Sequence, residues 1–157
     1  MTKNVFEEWL QKERYLKVAP FLKGKVLDFG CGDMTKIKLD RIIGRPVDYT
    51  GVDKNDAIEG MFDTVVSCAA FEHVENLSVI VNELKKHLKP DGTIVITTPS
   101  PRSKFVQELL ALTRLFHKEN IEGHNYLSKK DLAALGNMVL YKKFQLGMNQ
   151  IAVFKNK

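Results

Sequence analysis

Two glycines one residue apart, at the end of a short apolar run, constrain the fold of this chain most strongly. The run V-L-D-F at residues 26–29 is followed by G-C-G-D at residues 30–33. An apolar run bounded by glycine is typical of a buried parallel strand that ends in a tight turn. Glycine is needed where φ turns positive or where a ligand contacts bare backbone. Because ligands of open α/β sheets bind at the carboxyl ends of the strands, we expect a small molecule over Gly30 and Gly32.

The residues that follow the glycines distinguish two classes of cofactor. A dinucleotide-binding loop reads G-x-G-x-x-G/A and places the pyrophosphate at the start of the next helix. Here Thr35 stands where the third glycine belongs, and Asp33 puts a negative charge where phosphate would lie. Both residues disfavour a nicotinamide cofactor and therefore an oxidoreductase. A nucleoside that lacks phosphate and carries an ammonium group is compatible with Asp28 and Asp33, and S-adenosylmethionine fits that description.

A second predicted strand ends in a carboxylate about 20 residues after the glycine turn. This strand covers residues 48–53 and ends at Asp53. A carboxylate has two acceptor oxygens side by side, so Asp53 at this spacing suits a pair of ribose hydroxyls. The next apolar strand, residues 62–67, follows after only residues 54–61. A parallel crossover needs a dozen residues or more, so no further strand with its helices fits into this connection.

Together with K-P-D-G-T-I-V-I-T at residues 89–97, these features resemble the class I S-adenosylmethionine-dependent methyltransferases over about residues 14–136. The resemblance implies one α/β domain, residues 1–157, with a mostly parallel Rossmann-like sheet and an antiparallel last strand. In the family's strand numbering the expected order is 2-1-4-5-7-6, with the third strand missing. That loss removes the family's acidic residue for the adenine amino group. Asp56 or Glu59 could take its place, or the adenine could be more exposed.

The resemblance also implies an activity and a set of site residues. The expected activity is in-line methyl transfer from S-adenosylmethionine to a small-molecule acceptor, with His73 as the base or substrate contact. His124 and Tyr126 are second candidates, and no metal is expected. The expected cofactor contacts are Asp28, Gly30, Cys31, Gly32, Asp53, Lys54, Ser67 and Cys68. A structural role for His73 is an equally open alternative, as is a degenerate cofactor-binding or partner-binding module without activity.

Composition and charge exclude few function classes. The net charge is +5, but Lys142-Lys143 and the lysines at 155–157 form runs too short, without interleaved aromatics, for a nucleic-acid site. No apolar run has the length of a membrane span, and the N-terminus lacks an apolar signal region, so the cytoplasm is the expected location. Cys31 and Cys68 are expected to be reduced, because disulfides are rare in reducing compartments.

The remaining segments predict the elements that surround the sheet. Helices are expected at 2–17, at 35–43, after Asn76 with Leu88 on the buried face, after Ser103 with Phe105 and Leu109 buried, and after a capping box at 128–131. Residues 90–92 predict a turn, and residues 139–144 and 150–154 predict a closing hairpin around Gly147. The second strand becomes an edge that could pair with another chain.

Overall fold

Six strands form one sheet in the computed structural model, which describes residues 5–32, 40, 41, 44, 46–112 and 125–156. The strands are β1 (Lys25–Phe29), β2 (Asp48–Val52), β3 (Phe62–Cys68), β4 (Leu88–Pro99), β5 (Met138–Phe144) and β6 (Asn149–Lys155). Their order is β2-β1-β3-β4-β6-β5. The first four strands pair in parallel, and β6 is antiparallel to both of its neighbours. The predicted sheet order is confirmed.

Helices pack on both faces of this sheet. They are α1 (Val5–Val18), α2 (Leu77–Lys86), α3 (Pro101–Leu112) and α4 (Lys129–Ala133). Tyr15 and Val18 of α1 are buried against one face, in a cluster with Val26 of β1. Leu84 of α2 and Leu132 of α4 are fully buried in the cluster on the opposite face. Because each strand side chain points to the face opposite its neighbour's, β1 contributes to both cores and is buried over four of its five residues.

The register of the central strands brings three carboxyl ends together. Phe29, the last residue of β1, is opposite Val52, the last residue of β2. Asp28 is opposite Val66 in β3 on the other side. The connection between β2 and β3, residues 53–61, contains no helix or strand, so β2 is the edge strand that the sequence predicts. Pairing of this edge with a second chain stays a prediction.

Four local predictions are wrong, each for a physical reason. The predicted turn at 90–92 lies inside β4 as a bulge: Phe62 pairs with Leu88 and Thr64 with Thr93, so extra residues on β4 must loop out. Asp91 adopts the left-handed conformation, with φ 62°, that this bulge requires. Leu88 lies in β4 and not, as predicted, on the buried face of α2.

The start and the burial of α3 also differ from expectation. The helix begins at Pro101, a residue suited to the first helical turn, and Ser103 is its fully buried third residue. Its Oγ donates to the carbonyl of Ser100 at 2.7 Å, so it does not act as the N-cap. Phe105 and Leu109 are exposed at 72% and 54%, which contradicts the burial that their spacing predicted.

Other local predictions agree with the structure. Asn76 caps α2 by accepting from the Val79 amide, and Ser128 with Asp131 forms the predicted capping box of α4. β5 and β6 form the predicted hairpin around residues 145–147. Of the helix predicted at 35–43, only residues 40 and 41 are described and both are helical; the rest of it, and His124, lie outside the described residues. No helix in the described ranges is long and apolar enough to cross a membrane.

Candidate functional site

A cavity of about 470 Å³ opens at the carboxyl ends of β1, β2 and β3. Its volume falls within the roughly 300–1,000 Å³ range of small-molecule sites. Three chain segments form its walls: the turn after β1, the start of the 53–61 connection, and the segment after β3. The lining residues are Phe29, Gly30, Gly32, Asp53, Lys54, Asn55, Ala69, Ala70, His73 and Val74.

The turn after β1 depends on its two glycines. The Gly30 amide donates to the carbonyl of Val52 at 2.8 Å, which ties this turn to the end of β2. Gly30 has φ 75°, and a Cβ there would lie 2.2 Å from the Cβ of Ala70. Gly32 also has positive φ, but no described atom lies within 4 Å of the position that a Cβ would take. Gly30 therefore permits close packing of two loops, whereas the backbone of Gly32 has no described neighbour that would exclude a ligand.

The wall after β2 presents an exposed carboxylate at Asp53. The Asp53 amide donates to Asp56 Oδ2 at 2.7 Å, and the Asp56 amide donates to the Asp53 carbonyl at 3.0 Å. These two bonds form a tight turn, so the backbone at Asp53 is fixed beside the glycine turn. The structure thus brings together the two strand ends that the sequence predicts to hold a nucleoside.

The third wall follows β3 and begins with a strained residue. Ala69 has φ 59°, a conformation rare outside glycine, and its amide donates to the Thr97 carbonyl at 2.9 Å. The backbone then reaches Ala70, whose small side chain contacts the Gly30 turn. A short 3₁₀ turn, Phe71–His73, places the exposed side chain of His73 at the cavity. Strain of this kind is common where a loop is held in place for binding.

Asp28 lies in the core next to this cavity. Its side chain is 1% exposed and accepts a hydrogen bond from the Tyr49 hydroxyl. Burial raises the pKa of Asp28 to about 7; the Tyr49 hydrogen bond opposes that rise and the charge of Asp53 adds to it. Burial and the neighbouring Asp28 also raise the pKa of Tyr49. The second carboxylate oxygen, Oδ1, is buried without a hydrogen-bond partner among the described residues.

The structure separates the predicted cofactor contacts into two groups. Gly30, Gly32, Asp53 and Lys54 line the cavity together with His73. Asp28, Cys31, Ser67 and Cys68 are not among its lining residues. Cys31 Sγ packs against Gly51, and Ser67 is buried within β3. Their roles toward a ligand stay predictions.

Neither cysteine forms a disulfide, and both have pKa values above the ordinary range. Burial, together with the charge of Asp28, raises the pKa of Cys68 to about 12. Burial and the charges of Asp28 and Asp53 raise the pKa of Cys31 as well. Because the thiolate is the nucleophilic form, these environments disfavour a role for either cysteine as a nucleophile.

Sequence reasoning missed a group of buried polar side chains behind the third wall. Glu72 is 2% exposed and accepts a hydrogen bond from Thr98 Oγ1 at 3.4 Å. Burial raises the pKa of Glu72, and the charge of the Arg14 guanidinium partly offsets that rise. Arg14 Nη2 donates to Asn149 Oδ1 at 3.2 Å. The sequence did contain a signal: Arg14 lies midway between Leu10 and Val18, four residues from each, on the buried stripe of α1. Asn55, which lines the cavity, carries no such signal.

Comparison with known proteins gives a consistent picture. A family model described as a methyltransferase domain matches residues 1–137. The chain is similar to an S-adenosylmethionine-dependent methyltransferase from Thermotoga maritima, with a TM-score of 0.62 and 14% identity over 97% of this chain and 94% of that chain. It is also similar to the magnesium protoporphyrin IX methyltransferase of Synechocystis PCC 6803, which was solved with bound S-adenosylhomocysteine. The TM-score is 0.66, with 13% identity over 100% of this chain and 90% of that chain.

A third solved structure is the N-methyltransferase NodS from Bradyrhizobium japonicum WM9, with a TM-score of 0.56 and 12% identity over 99% of both chains. At these identities the likeness to solved structures is a likeness of fold. No curated protein sequence matches the chain.

Proposed function

Because the chain belongs to the methyltransferase domain family, whose model spans residues 1–137, we propose that it transfers a methyl group from S-adenosylmethionine to a small-molecule acceptor. The predicted family, the Rossmann-like fold and S-adenosylmethionine as cofactor are confirmed. The acceptor, the transfer itself and the roles of individual residues belong to the proposal. The observation that carries it is the meeting of Gly32, Asp53 and His73 around one cavity.

The residues around this cavity fit the cofactor in shape and charge. No described atom fills the space over Gly32, so a ligand placed there would contact bare backbone. Asp53 offers two acceptor oxygens to the ribose hydroxyls. S-adenosylmethionine carries positive charge on its sulfonium and ammonium groups, and the carboxylates of Asp53 and Asp56 favour cations at this end of the sheet.

The chemistry demands positioning more than an activated side chain. When bound, S-adenosylmethionine supplies a methyl group already activated by its sulfonium sulphur. The chain has to hold the acceptor in line with that methyl group, and such alignment can supply on the order of 7–11 kcal/mol. Ala69 and Ala70 leave room for close approach because they carry the smallest side chains. His73 lies on the same wall and takes the role of the base where the acceptor must lose a proton.

A small molecule is the acceptor class that the cavity supports. Its volume of about 470 Å³ suits a cofactor with a compact acceptor. The basic residues form no continuous run in the sequence that would track a phosphate backbone. The fold neighbour named for magnesium protoporphyrin IX, a small molecule, agrees with this acceptor class.

Cofactor binding tests the proposal directly. S-adenosylhomocysteine at 100 times its Kd should stabilise the protein by about 2.7 kcal/mol in thermal unfolding. Asp53→Ala should weaken binding by about 1.5–3 kcal/mol in calorimetry, because charged hydrogen bonds to the ribose are lost. Asp48→Ala, at the opposite end of the same strand, is the matched control and should bind normally. No thermal shift at millimolar ligand would instead support a module without cofactor, and a shift with NADH alone would support an oxidoreductase.

His73→Gln tests the catalytic role separately from binding. With an acceptor that must be deprotonated, found by screening amines, phenols and carboxylic acids, the variant should lose about 10²–10⁴-fold in kcat. Its affinity for S-adenosylhomocysteine should equal that of the unmodified protein. Equal turnover by the variant would assign His73 a structural role.

A further inference from the structure

A second cavity, of about 300 Å³, opens beside the cofactor cavity and shares two lining residues with it. Phe29 and Lys54 line both spaces. The second cavity lies between the 53–61 connection, which contributes Asp56 and Ile58, and α2, which contributes Ile80. We name it the α2 groove. Because Phe29 and Lys54 line both spaces, the two cavities adjoin each other, and a ligand in the first lies within reach of the second.

The α2 groove has an apolar floor and a charged rim. Phe29 and Leu84 form buried parts of the floor, and Ile58 and Ile80 are half-buried at its sides. On the rim, His87 is held by the Gly60 carbonyl, 3.1 Å from Nδ1, and its Nε2 is 3.6 Å from Glu83 Oε1. Asp56 lies on the rim nearest the cofactor cavity and is itself fixed by the Asp53 amide. An apolar slot bordered by acceptor oxygens suits a flat heterocycle with an amino group.

The direction of the cofactor follows from the two ends of the first cavity. This step rests on the proposed function, in which Asp53 binds the ribose. Ala69, Ala70 and His73 form the wall where the methyl group and the acceptor must meet. The base is attached to the ribose away from the sulphur, so it leaves the cavity on the opposite side, past Lys54. That side is the entrance of the α2 groove.

We infer that the α2 groove holds the adenine ring of S-adenosylmethionine, whose exocyclic amine donates to Asp56. One oxygen of Asp56 accepts from the Asp53 amide, but a carboxylate offers about four acceptor positions, so a further bond is available. The apolar floor contacts the faces of the ring. The short connection between β2 and β3 explains why this space exists: no described element covers the floor beside α2.

A filling substitution tests the location of the base. Ile80→Trp places a large side chain in the α2 groove and should weaken S-adenosylhomocysteine binding by about 10–100-fold in calorimetry. Val79→Trp is the matched control, because Val79 lies one residue away on α2, is 58% exposed and lines neither cavity. Both variants should keep the thermal unfolding midpoint of the unmodified protein within a few degrees. Equal binding by folded Ile80→Trp would overturn the inference.

A changed base tests the contact with Asp56. S-inosylhomocysteine carries a carbonyl in place of the amino group, and a carboxylate should reject it by about ten-fold or more relative to S-adenosylhomocysteine. Asp56→Asn keeps an acceptor for the Asp53 amide and adds a donor, so the preference should shrink to near unity. Asp48→Asn, at the far end of β2, should leave the preference intact. A preference that Asp56→Asn does not alter would overturn the Asp56 contact.

The outcomes separate this inference from the proposed function. Tight S-adenosylhomocysteine binding that Asp53→Ala weakens and Ile80→Trp does not would leave the proposed function standing and remove the adenine from the α2 groove. Absence of binding by the unmodified protein would overturn both. Weakening by Asp53→Ala and Ile80→Trp, with normal binding by Val79→Trp, supports both.

Discussion

The two ends of the sheet bury polar groups in opposite ways. At the β5–β6 hairpin, Gln150 is fully buried, and its amide donates to the carbonyls of Pro99 and Leu127 while its oxygen accepts from the Tyr141 hydroxyl. At the β1–β2 end, Asp28 is equally buried, but one of its oxygens has no partner among the described residues. The hairpin end thus buries a neutral amide with its hydrogen bonds made, whereas the cavity end buries a carboxyl group that lowers the stability of the fold.

This difference agrees with the proposed binding role of the cavity end of the sheet. Buried polar groups with all their hydrogen bonds made stabilise a unique packing. A buried polar group without a partner lowers the free energy of unfolding, because it has lost its hydration without gaining a hydrogen bond. The cavity end also contains a left-handed alanine, Ala69, and the fixed glycine turn at Gly30. We therefore expect substitutions at the hairpin end to lower stability, and substitutions at the cavity end to change ligand binding and pH dependence instead.

The largest expected effect lies at the hairpin end. Gln150→Leu removes three side-chain hydrogen bonds in the core, two of them to backbone carbonyls, so it should lower the free energy of unfolding by about 3–5 kcal/mol. Urea denaturation would measure this loss. Lys143→Leu is the control, because Lys143 is the exposed partner of Gln150 in β5. A loss below about 1 kcal/mol for Gln150→Leu would contradict the structural role of the amide network.

A smaller and opposite effect is expected for Asp28→Asn. In the folded protein Asp28 keeps its proton up to about pH 7, whereas the unfolded chain releases it near pH 4. Between about pH 4 and pH 7 the folded state therefore binds more protons than the unfolded chain, and the free energy of unfolding falls as pH rises through this interval. Asparagine removes the contribution of Asp28 to this dependence. The difference in the free energy of unfolding, variant minus unmodified protein, should therefore be more favourable at pH 8 than at pH 4 by on the order of 2–4 kcal/mol.

Urea denaturation at pH 4 and pH 8 would measure the change for Asp28→Asn. Glu72 is a second buried acid with a raised pKa, so part of the dependence should remain in the variant. Asp48→Asn, on the exposed start of β2, should retain the full dependence. An Asp28→Asn variant with an unchanged pH profile would show that Asp28 is ionised in the folded state.

The smallest expected effects distinguish the helix caps at the two ends. Ser128→Ala removes the 3.2 Å bond that the Asp131 amide donates to the Ser128 hydroxyl, while the backbone amide of residue 128 can still donate to Asp131 Oδ2 at 2.7 Å, and the change should cost about 1 kcal/mol. Asn76→Ala removes a 3.4 Å bond from the Val79 amide and an exposed 3.0 Å bond from the Ser78 hydroxyl, and it should cost about 0.5 kcal/mol because the bond to the helix backbone is long. Thermal unfolding of the two variants would rank them. A larger loss for Asn76→Ala would mean that the start of α2, beside the cavity, carries more stability than its hydrogen bonding indicates.

Much of the fold could be predicted because strong local patterns coincide with the topology. The glycine turn and the carboxylate at Asp53 helped to establish the resemblance that implied the strand order, and the short connection to β3 indicated that the third strand of the family is missing. The capping box at Ser128 and the hairpin around residues 145–147 follow from local chemistry alone. Each of these features is specified within a few residues of sequence.

The remaining differences arise from contacts between distant residues. The bulge at Asp91 is set by the pairing of β4 with β3, which no local pattern encodes. The spacing of Phe105 and Leu109 predicted burial, but spacing does not say which face of a helix meets the sheet. Arg14 and Glu72 come from separate elements, so their association behind the cavity becomes visible only in three dimensions.

The short connection between β2 and β3 shows how little chain is needed around such a pocket. The cavity walls follow the carboxyl ends of β1, the edge strand β2 and β3, and the connection at residues 53–61 contributes only its first three residues to the lining. The same stretch is exposed and carries no regular secondary structure. It is therefore a natural insertion point, where a grafted helix could close the pocket or recruit a new acceptor without rebuilding the sheet.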